Sequence, residues 1–508
     1  MPLSNANLYA HFQDQFKRFH DKIALETPGG LKWSYGHIDR EAARIANFLS
    51  GQGVQVGDRV SVQAAKSPQA LTLYLACLRA GFVYHPLNTG YKESELGYFL
   101  GNAEPSAVIC DSRDRALMEK LCAENSVGAL LTLDADGSGS LIDEAADCEA
   151  DYPVVERKPD DLAALLYSSG TTGRPKGIML TNENLLSNAQ SLVEGWGFTD
   201  KDVLLHALPI FHVHGLFVAL GCVFLSGAGM RWLAGFDLDQ VLGELPKSTV
   251  MMGVPTYYTR LLSSGCLTAD LVANMRLFIS GSAPLLAETF EEFEKVTGHR
   301  ILERYGMTET SMNTSNPLHG ERRPGTVGLP LPGVNVRVVD DNNHPLPAGE
   351  IGNIQVRGRN VFRGYWKMPE KTAEDFTHDG FFNTGDKGLI DAEGYVSIVG
   401  RSKDMVITGG LNVYPKELEL LIDDQDGVLE SAVIGVPHKD FGEAVVAVVV
   451  PREGLIPDEA ALIGRIRDQV SGFKVPKRIV FLDTLPRNTM GKVQKNILRD
   501  QFSELFAR

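Results

Sequence analysis

The sequence predicts an α/β protein in two unequal parts. These are a large N-terminal domain of two α/β subdomains plus a small β subdomain, and a small mobile α/β domain at the C-terminus. Three features lead there. Apolar runs at helical spacing alternate with short strand-like runs in the first half, the texture changes to Gly- and Pro-punctuated β runs from 325 to 399, and a compact tail after Gly400 carries its own strand and helix runs. The 508 residues exceed what one hydrophobic core serves, and a divisor of roughly 150 residues per domain suggests about three.

Residues 38–52 (IDREAARIANFLSGQ) place apolar side chains at helical spacing and stop before Gly53, after which 60–64 reads as a strand. The unit repeats as helix 68–80 with strand 83–86, then helix 93–102 with strand 107–110. Helices that return the chain between strands give a largely parallel sheet. The alternation resumes after Ser187, with strands expected at 248–252 and 277–280, while 134–140 (DADGSGS) reads as a surface loop. VNVRVVD, GNIQVRG and GYVSIVG build the β subdomain; SAVIGV, AVVAVVV and EAALIGRIRDQV build the tail. The charged stretch Arg401, Ser402, Lys403, Asp404 marks a hinge, which gives domains 1–402 and 403–508 with a pivot at 401–404.

Lys plus Arg number 49 against 64 Asp plus Glu, a net charge of −15. A surface that acidic repels phosphate backbones and anionic lipid, so nucleic acid and stable membrane association are not expected, and an anionic substrate needs a locally basic pocket. The six cysteines form no CxxC pair and suit free thiols in a reducing cytoplasm, and the first twenty residues hold no run resembling a signal peptide, so a cytoplasmic location is expected. Residues 203–230 lack Asp, Glu, Lys and Arg and are long enough to span a bilayer. Because His206, His212, His214 and Pro209 interrupt them, a buried strand, turn and helix is the preferred reading over a membrane span.

The sharpest local signal is YSSGTTGRPKG at 167–177, directly after an apolar run. Its glycines free the backbone to turn amides toward an anion, its hydroxyls add donors, and Lys176 adds charge; the alternative is a polar surface linker. A Walker A loop is excluded, because Pro175 and Gly177 stand where it requires Gly and Ser or Thr.

This stretch resembles the phosphate loop of the adenylate-forming superfamily, whose members include acyl-CoA synthetases, and the further signatures follow in order. They are RYGMTE at 304–309, NTGD at 383–386, GRSKD at 400–404 and PRNTMGKVQK at 486–495. LPIFHVHG at 208–215, GVPTYYTRL at 253–261, SGSAPL at 280–285 and ERYGMTETSMNTSNP narrow the resemblance to malonyl-CoA synthetases. The resemblance implies ATP, Mg²⁺ and coenzyme A as cofactors. Ser168, Ser169, Gly170, Thr171, Thr172 and Lys176 are then expected to grip the phosphates. Ser282, Ala283 and Pro284 with Glu303, Arg304, Tyr305, Gly306 and Met307 line the adenine, Tyr305 supplying a stacking ring. Asp386 and Arg401 hold the ribose, and Glu309, with Thr308 beside it and Thr172, serves the metal. Lys492 bridges the attacking carboxylate and the α-phosphate. Without the resemblance these residues read more plainly: Lys492 as a solvated lysine, Glu309 as a carboxylate in a helix first turn, Asp386 as a turn former and Tyr305 as core.

A small dicarboxylate needs a cation for its distal carboxyl, since burying that charge unpaired costs several kcal/mol. The resemblance assigns this role to Arg260, whose alternative is a surface helix cap, with Ser282, His206 and Met307 lining the same pocket; Arg276 is a weaker candidate at the end of a strand. His212 resembles the ring between acyl pocket and CoA tunnel, and Gly409 and Gly410 the strand presented to pantetheine, with Lys403 as hinge. His214 has no counterpart, and the pair HVH has no third ligand of suitable type nearby in the sequence that would make it a metal site. Lys439 and Lys474 are weak candidates for CoA phosphates. The expected activity is an AMP-forming malonate:CoA ligase. A methylmalonate or other short-acid CoA ligase, and an adenylating enzyme that loads a carrier protein, stay open. By the same resemblance Lys492 is a target for a lysine acetyltransferase and deacetylase, and the chain is expected to be a monomer or weak dimer.

Overall fold

The computed structural model describes residues 5–168, 175–401, 404–408, 411–438, 441–455, 457–470, 472–488 and 491–506. Ser169, Gly170, Thr171, Thr172, Ser402, Lys403, Gly409, Gly410 and Lys439 lie outside the described residues.

Helix Pro68–Ala80 shows how local sequence sets the fold. The Ser67 hydroxyl accepts from the Ala70 N–H, Pro68 occupies the first turn, and Gly81 ends the helix at φ 72°. Every residue from Ala70 to Ala80 is buried, because the helix lies between two subdomains: Tyr74 meets Tyr84 of the following strand on one side and Phe217 of the second subdomain on the other. The helix expected at 38–52 instead begins at Tyr35. The Ser34 hydroxyl caps it by accepting from the His37 N–H, a signal that outranks the later start of the apolar stripe.

The first subdomain is a seven-stranded sheet. Ala129–Thr132, Ala107–Cys110, Arg59–Gln63, Val83–Pro86 and Leu162–Ser168 run parallel in it, and the antiparallel Lys176–Thr181 and Gly364–Tyr365 extend one edge. In the second, a nine-stranded sheet, Ile23–Glu26, Gly229–Trp232, Val203–His206, Val250–Gly253, Leu277–Ser280 and Leu302–Met307 run parallel in that spatial order. Val334–Val339, Gly352–Gly358, Phe382–Ile390 and Val396–Arg401 form the antiparallel β subdomain. One apolar cluster runs through all three parts.

The tail has cores of its own. Val433, Val445 and Ala447 face one side of its sheet and Ala432, Ile434, Val446 and Val448 the other, the two-residue period of a sheet covered on both faces. Segment 203–230 resolves into strand Val203–His206, a wide helical turn His214–Ala219, helix Leu220–Ser226 and strand Gly229–Trp232. Among the described residues no helix is long and apolar enough to cross a membrane.

Candidate active site

Parallel strands deliver their C-terminal ends to one edge of a sheet, where α/β folds bind ligands. Strand Leu277–Ser280 ends there in Gly281 and Ser282. Ser282 has φ 70°, a left-handed conformation costing roughly 1–3 kcal/mol in a residue with a Cβ, and it places its hydroxyl 3.3 Å from Nδ1 of the buried His214. Ala283 and Pro284 continue this loop, which is tied to the next strand because the Leu285 N–H donates to Glu303 Oε1 at 3.1 Å. Burial pushes the Glu303 carboxyl up to about 7, against the pull of that bond.

Strand Leu302–Met307 supplies the next wall. The Tyr305 hydroxyl donates to Asp386 Oδ2, and Arg401 Nε stands 3.0 Å from Asp386 Oδ1, so the structure brings together three residues nearly a hundred positions apart in sequence. Gly306, Met307 and Thr308 are half-buried beside them. Glu309 is buried in the turn before antiparallel strand Ser311–Ser315, not in a helix first turn. Burial raises its pKa, while Arg401 and then Lys176 pull it down. Ser168 pairs with Lys176 across the hairpin that bounds the phosphate loop, and Lys176 Nζ lies 4.6 Å from the Tyr365 ring centroid. The Tyr365 ring holds this lysine without neutralising it. The buried Glu309 carboxylate is a hard-oxygen donor, which fits Mg²⁺, and the following residue, Thr310, has a buried hydroxyl without a partner among the described residues.

The tail closes over this edge. The Asn488 N–H donates to the Lys492 carbonyl and the Lys492 N–H to Asn488 Oδ1, each at 2.9 Å, a Cβ on Gly491 would meet the Thr256 side chain at 3.1 Å, and Arg452 Nη2 contacts both Glu288 oxygens at 2.6 and 2.7 Å. Lys492 stands on this tail segment. Its own surface is accessible, yet the surrounding protein and then Arg401 lower its pKa, while Asp386 and Asp404 pull it up. Lys492 therefore shares one electrostatic neighbourhood with Arg401 and Asp386.

On the opposite side of strand Leu302–Met307, Arg304 is 3% exposed, and its Nε and Nη2 have no partner among the described residues. The guanidinium lies flat against Gly281, where a Cβ would sit 2.4 Å from Cζ, so only glycine fits beside it. Burial pushes the Arg304 pKa down to about 9, and its charge helps to hold His212 neutral, with a pKa near 4. The Arg304 side chain thus packs on Gly281, away from the Tyr305–Asp386–Arg401 contact.

Several expectations change here. Arg260 is exposed in the last turn of helix Pro255–Ser263, its guanidinium 5.8 Å from the Phe236 ring, without a carboxylate partner among the described residues. His206 is buried with both ring nitrogens engaged, Nδ1 by Lys66 and Nε2 by the Gly215 carbonyl, each at 2.8 Å, so it offers no free polar atom to a pocket. His212 and His214 stand at a turn entering a helix and not on a strand, and both rings feel the Arg304 charge. Arg276 is structural: it pairs with Asp202 at 2.6 Å and donates to the Trp196 and Gly197 carbonyls. Lys474 is paired with Glu417 at 2.6 Å. Sequence reasoning missed the Arg304 side chain, His214 and Lys66. An arginine within the strand-like run ILERYGM was the available signal for Arg304; Lys66 had none.

The comparisons with known proteins agree with this geometry. The family signature "AMP-binding enzyme" matches residues 12–366, and "AMP-binding enzyme C-terminal domain" matches 417–492. A malonate–CoA ligase of Arabidopsis thaliana is 34% identical, with 94% of this chain and 86% of that protein covered. A feruloyl-CoA synthase of an Amycolatopsis species is 36% identical over 93% and 95%. Among solved structures, ATP-bound MatB from Rhodopseudomonas palustris superposes with a TM-score of 0.97 at 54% identity, covering 99% of this chain and 100% of that one. The chain belongs to the AMP-binding enzyme family, as an acyl-CoA synthetase of the adenylate-forming superfamily.

Proposed function

We propose that this acid:CoA ligase activates malonate, joining it to AMP with release of pyrophosphate and passing the malonyl group to CoA. The observation that carries this reading is the buried Arg304 guanidinium against Gly281, with Nε and Nη2 unpartnered among the described residues and Ser282 the next residue along the loop. A fatty acid or aryl acid needs apolar surface there, whereas two parallel N–H donors suit a carboxylate. The likeness to the malonate–CoA ligase supports the same substrate.

A carboxylate does not react with a thiol at neutral pH, because the leaving group would be oxide; adenylation replaces it with AMP. In the first step the proximal carboxylate attacks the α-phosphorus and pyrophosphate leaves. The main demand is to screen two anions. Lys492 bridges the carboxylate and the α-phosphate, Asp386 accepts from the ribose hydroxyls while Arg401 and Tyr305 hold it in place, and Lys176 with the phosphate loop receives the β- and γ-phosphates. Magnesium, held by Glu309 and Thr172, would screen phosphate charge when bound. In the second step the tail pivots about 401–404, withdraws Lys492 and presents Gly409 and Gly410 to pantetheine; His212 moves aside, the CoA sulfur attacks the acyl carbon, and AMP departs.

A panel of short acids incubated with ATP and CoA tests this: malonate should give the highest AMP yield, methylmalonate less, and propionate or benzoate far less. Preference for an acid without a second carboxylate overturns the reading. Arg260, being exposed, contributes weakly. Arg260→Ala should raise the malonate KM by at most about fivefold, as expected of an exposed charge pair worth up to about 1 kcal/mol, and leave the ATP KM unchanged. A larger loss would move the principal cation from Arg304 to Arg260.

A further inference from the structure

Lys66 is a buried cation that the reaction scheme leaves unused. It follows strand Arg59–Gln63, is 9% exposed, and reaches across the boundary between subdomains. Its Nζ donates to the His206 carbonyl and lies against His206 Nδ1, both at 2.8 Å, and stands 4.3 Å from the Trp232 ring centroid. Among the described residues it has no carboxylate partner.

The protonation states follow from the partners. The Gly215 carbonyl only accepts, so His206 Nε2 carries the hydrogen and Nδ1 keeps its lone pair for a Lys66 N–H. The third N–H of an ammonium points at the Trp232 face, whereas a neutral amine would turn a lone pair toward that electron-rich ring. These contacts favour the ammonium against the burial that pulls the Lys66 pKa well below that of a free lysine. An ammonium with no counter-ion is costly to bury, and a methionine of similar length would fill the same volume without that cost.

What makes the charge useful lies on the other side of His206. His214 is in the electrostatic range of His206 and Arg304, and its ring touches Ser282 of the acyl pocket. Lys66 and Arg304 thus put positive charge behind two walls of one pocket, with Glu303 the buried carboxylate nearby, already accepting from the Leu285 N–H. We infer that Lys66 is a specificity-determining residue, whose buried ammonium supplies standing positive potential to the acyl pocket and so favours an acid with a second negative charge over its monoanionic isostere. This rests on the malonate reading of the site.

The test compares malonate with malonamate, in which a neutral amide replaces the distal carboxylate, in pyrophosphate exchange by the full chain. Lys66→Met should lower kcat/KM for malonate about tenfold, leave malonamate within about threefold, and melt no lower than the parent protein, because a buried uncompensated charge has been removed. Lys66→Arg, which keeps the charge, should restore part of the preference. Equal loss for both acids would make Lys66 a merely structural prop, and an unchanged ratio would make its charge irrelevant; either overturns the inference. Arg304→Gln run in parallel separates the levels. If it abolishes the malonate preference while Lys66→Met does not, only the Lys66 inference falls. If the parent protein itself does not prefer malonate, the reading beneath it falls.

Discussion

Lys492→Ala should lower acid-dependent pyrophosphate exchange roughly 100- to 1,000-fold, the loss typical of deleting one preorganised charge at a developing anion. Thioester formation from supplied malonyl-adenylate should stay within a few-fold of the parent rate, since in that step the tail has withdrawn this side chain. The asymmetry follows from position. Lys492 shares the electrostatic neighbourhood of Arg401 and Asp386, on the tail and not on the body that holds the nucleotide. Equal loss in both half-reactions would make Lys492 a structural residue. A pH dependence follows with a definite sign. Screening needs the ammonium, and the enclosure of Lys492 together with Arg401 lowers its pKa below that of a free lysine. Adenylation should therefore decline on the alkaline side at a lower pH than an unperturbed lysine would dictate, and acetylation of this nitrogen should mimic the deprotonated form at every pH.

Arg304→Gln carries the second large effect. Truncating one partner of a buried charge pair costs about 2–5 kcal/mol, so the malonate KM should rise at least roughly 30-fold. The ATP KM should hold, because the nucleotide role proposed for this strand falls on Tyr305 and the backbone. In the free enzyme the change removes an unpaired buried cation, so thermal stability should not fall. Arg304→Lys, with a point charge in place of the planar fork, should recover only part of the loss. If malonate and malonamate weakened equally, Arg304 would not be reading the distal carboxylate.

The sequence reading and the structure differ in a consistent way. Elements whose boundaries are written locally were legible. Helix Pro68–Ala80 has its cap, proline and terminating glycine in the chain itself, and strands Val83–Pro86, Ala107–Cys110 and Leu277–Ser280 lie between clear turns. The motifs carrying Tyr305, Asp386 and Arg401 were legible, and the three side chains do meet. The surroundings of Arg260 and His206 were not. Arg260 lies in a motif, but its helix turns it outward, and His206 was assigned to a cavity although Lys66 and the Gly215 carbonyl consume its ring. Lys66 and His206 are 140 residues apart, and no local pattern announces that a lysine from one subdomain will end beneath a histidine of another. A side chain's burial is fixed by partners that arrive from elsewhere in the chain, and periodicity carries no record of them.

The account stands on one bond, the mixed anhydride between the acid and AMP, and an isotope reads it directly. Malonate labelled with ¹⁸O in its carboxylates, incubated with ATP, Mg²⁺ and CoA, should yield AMP carrying one labelled oxygen on phosphorus, with pyrophosphate unlabelled. Labelled orthophosphate accompanied by ADP would place the attack at the γ-phosphorus and contradict the account.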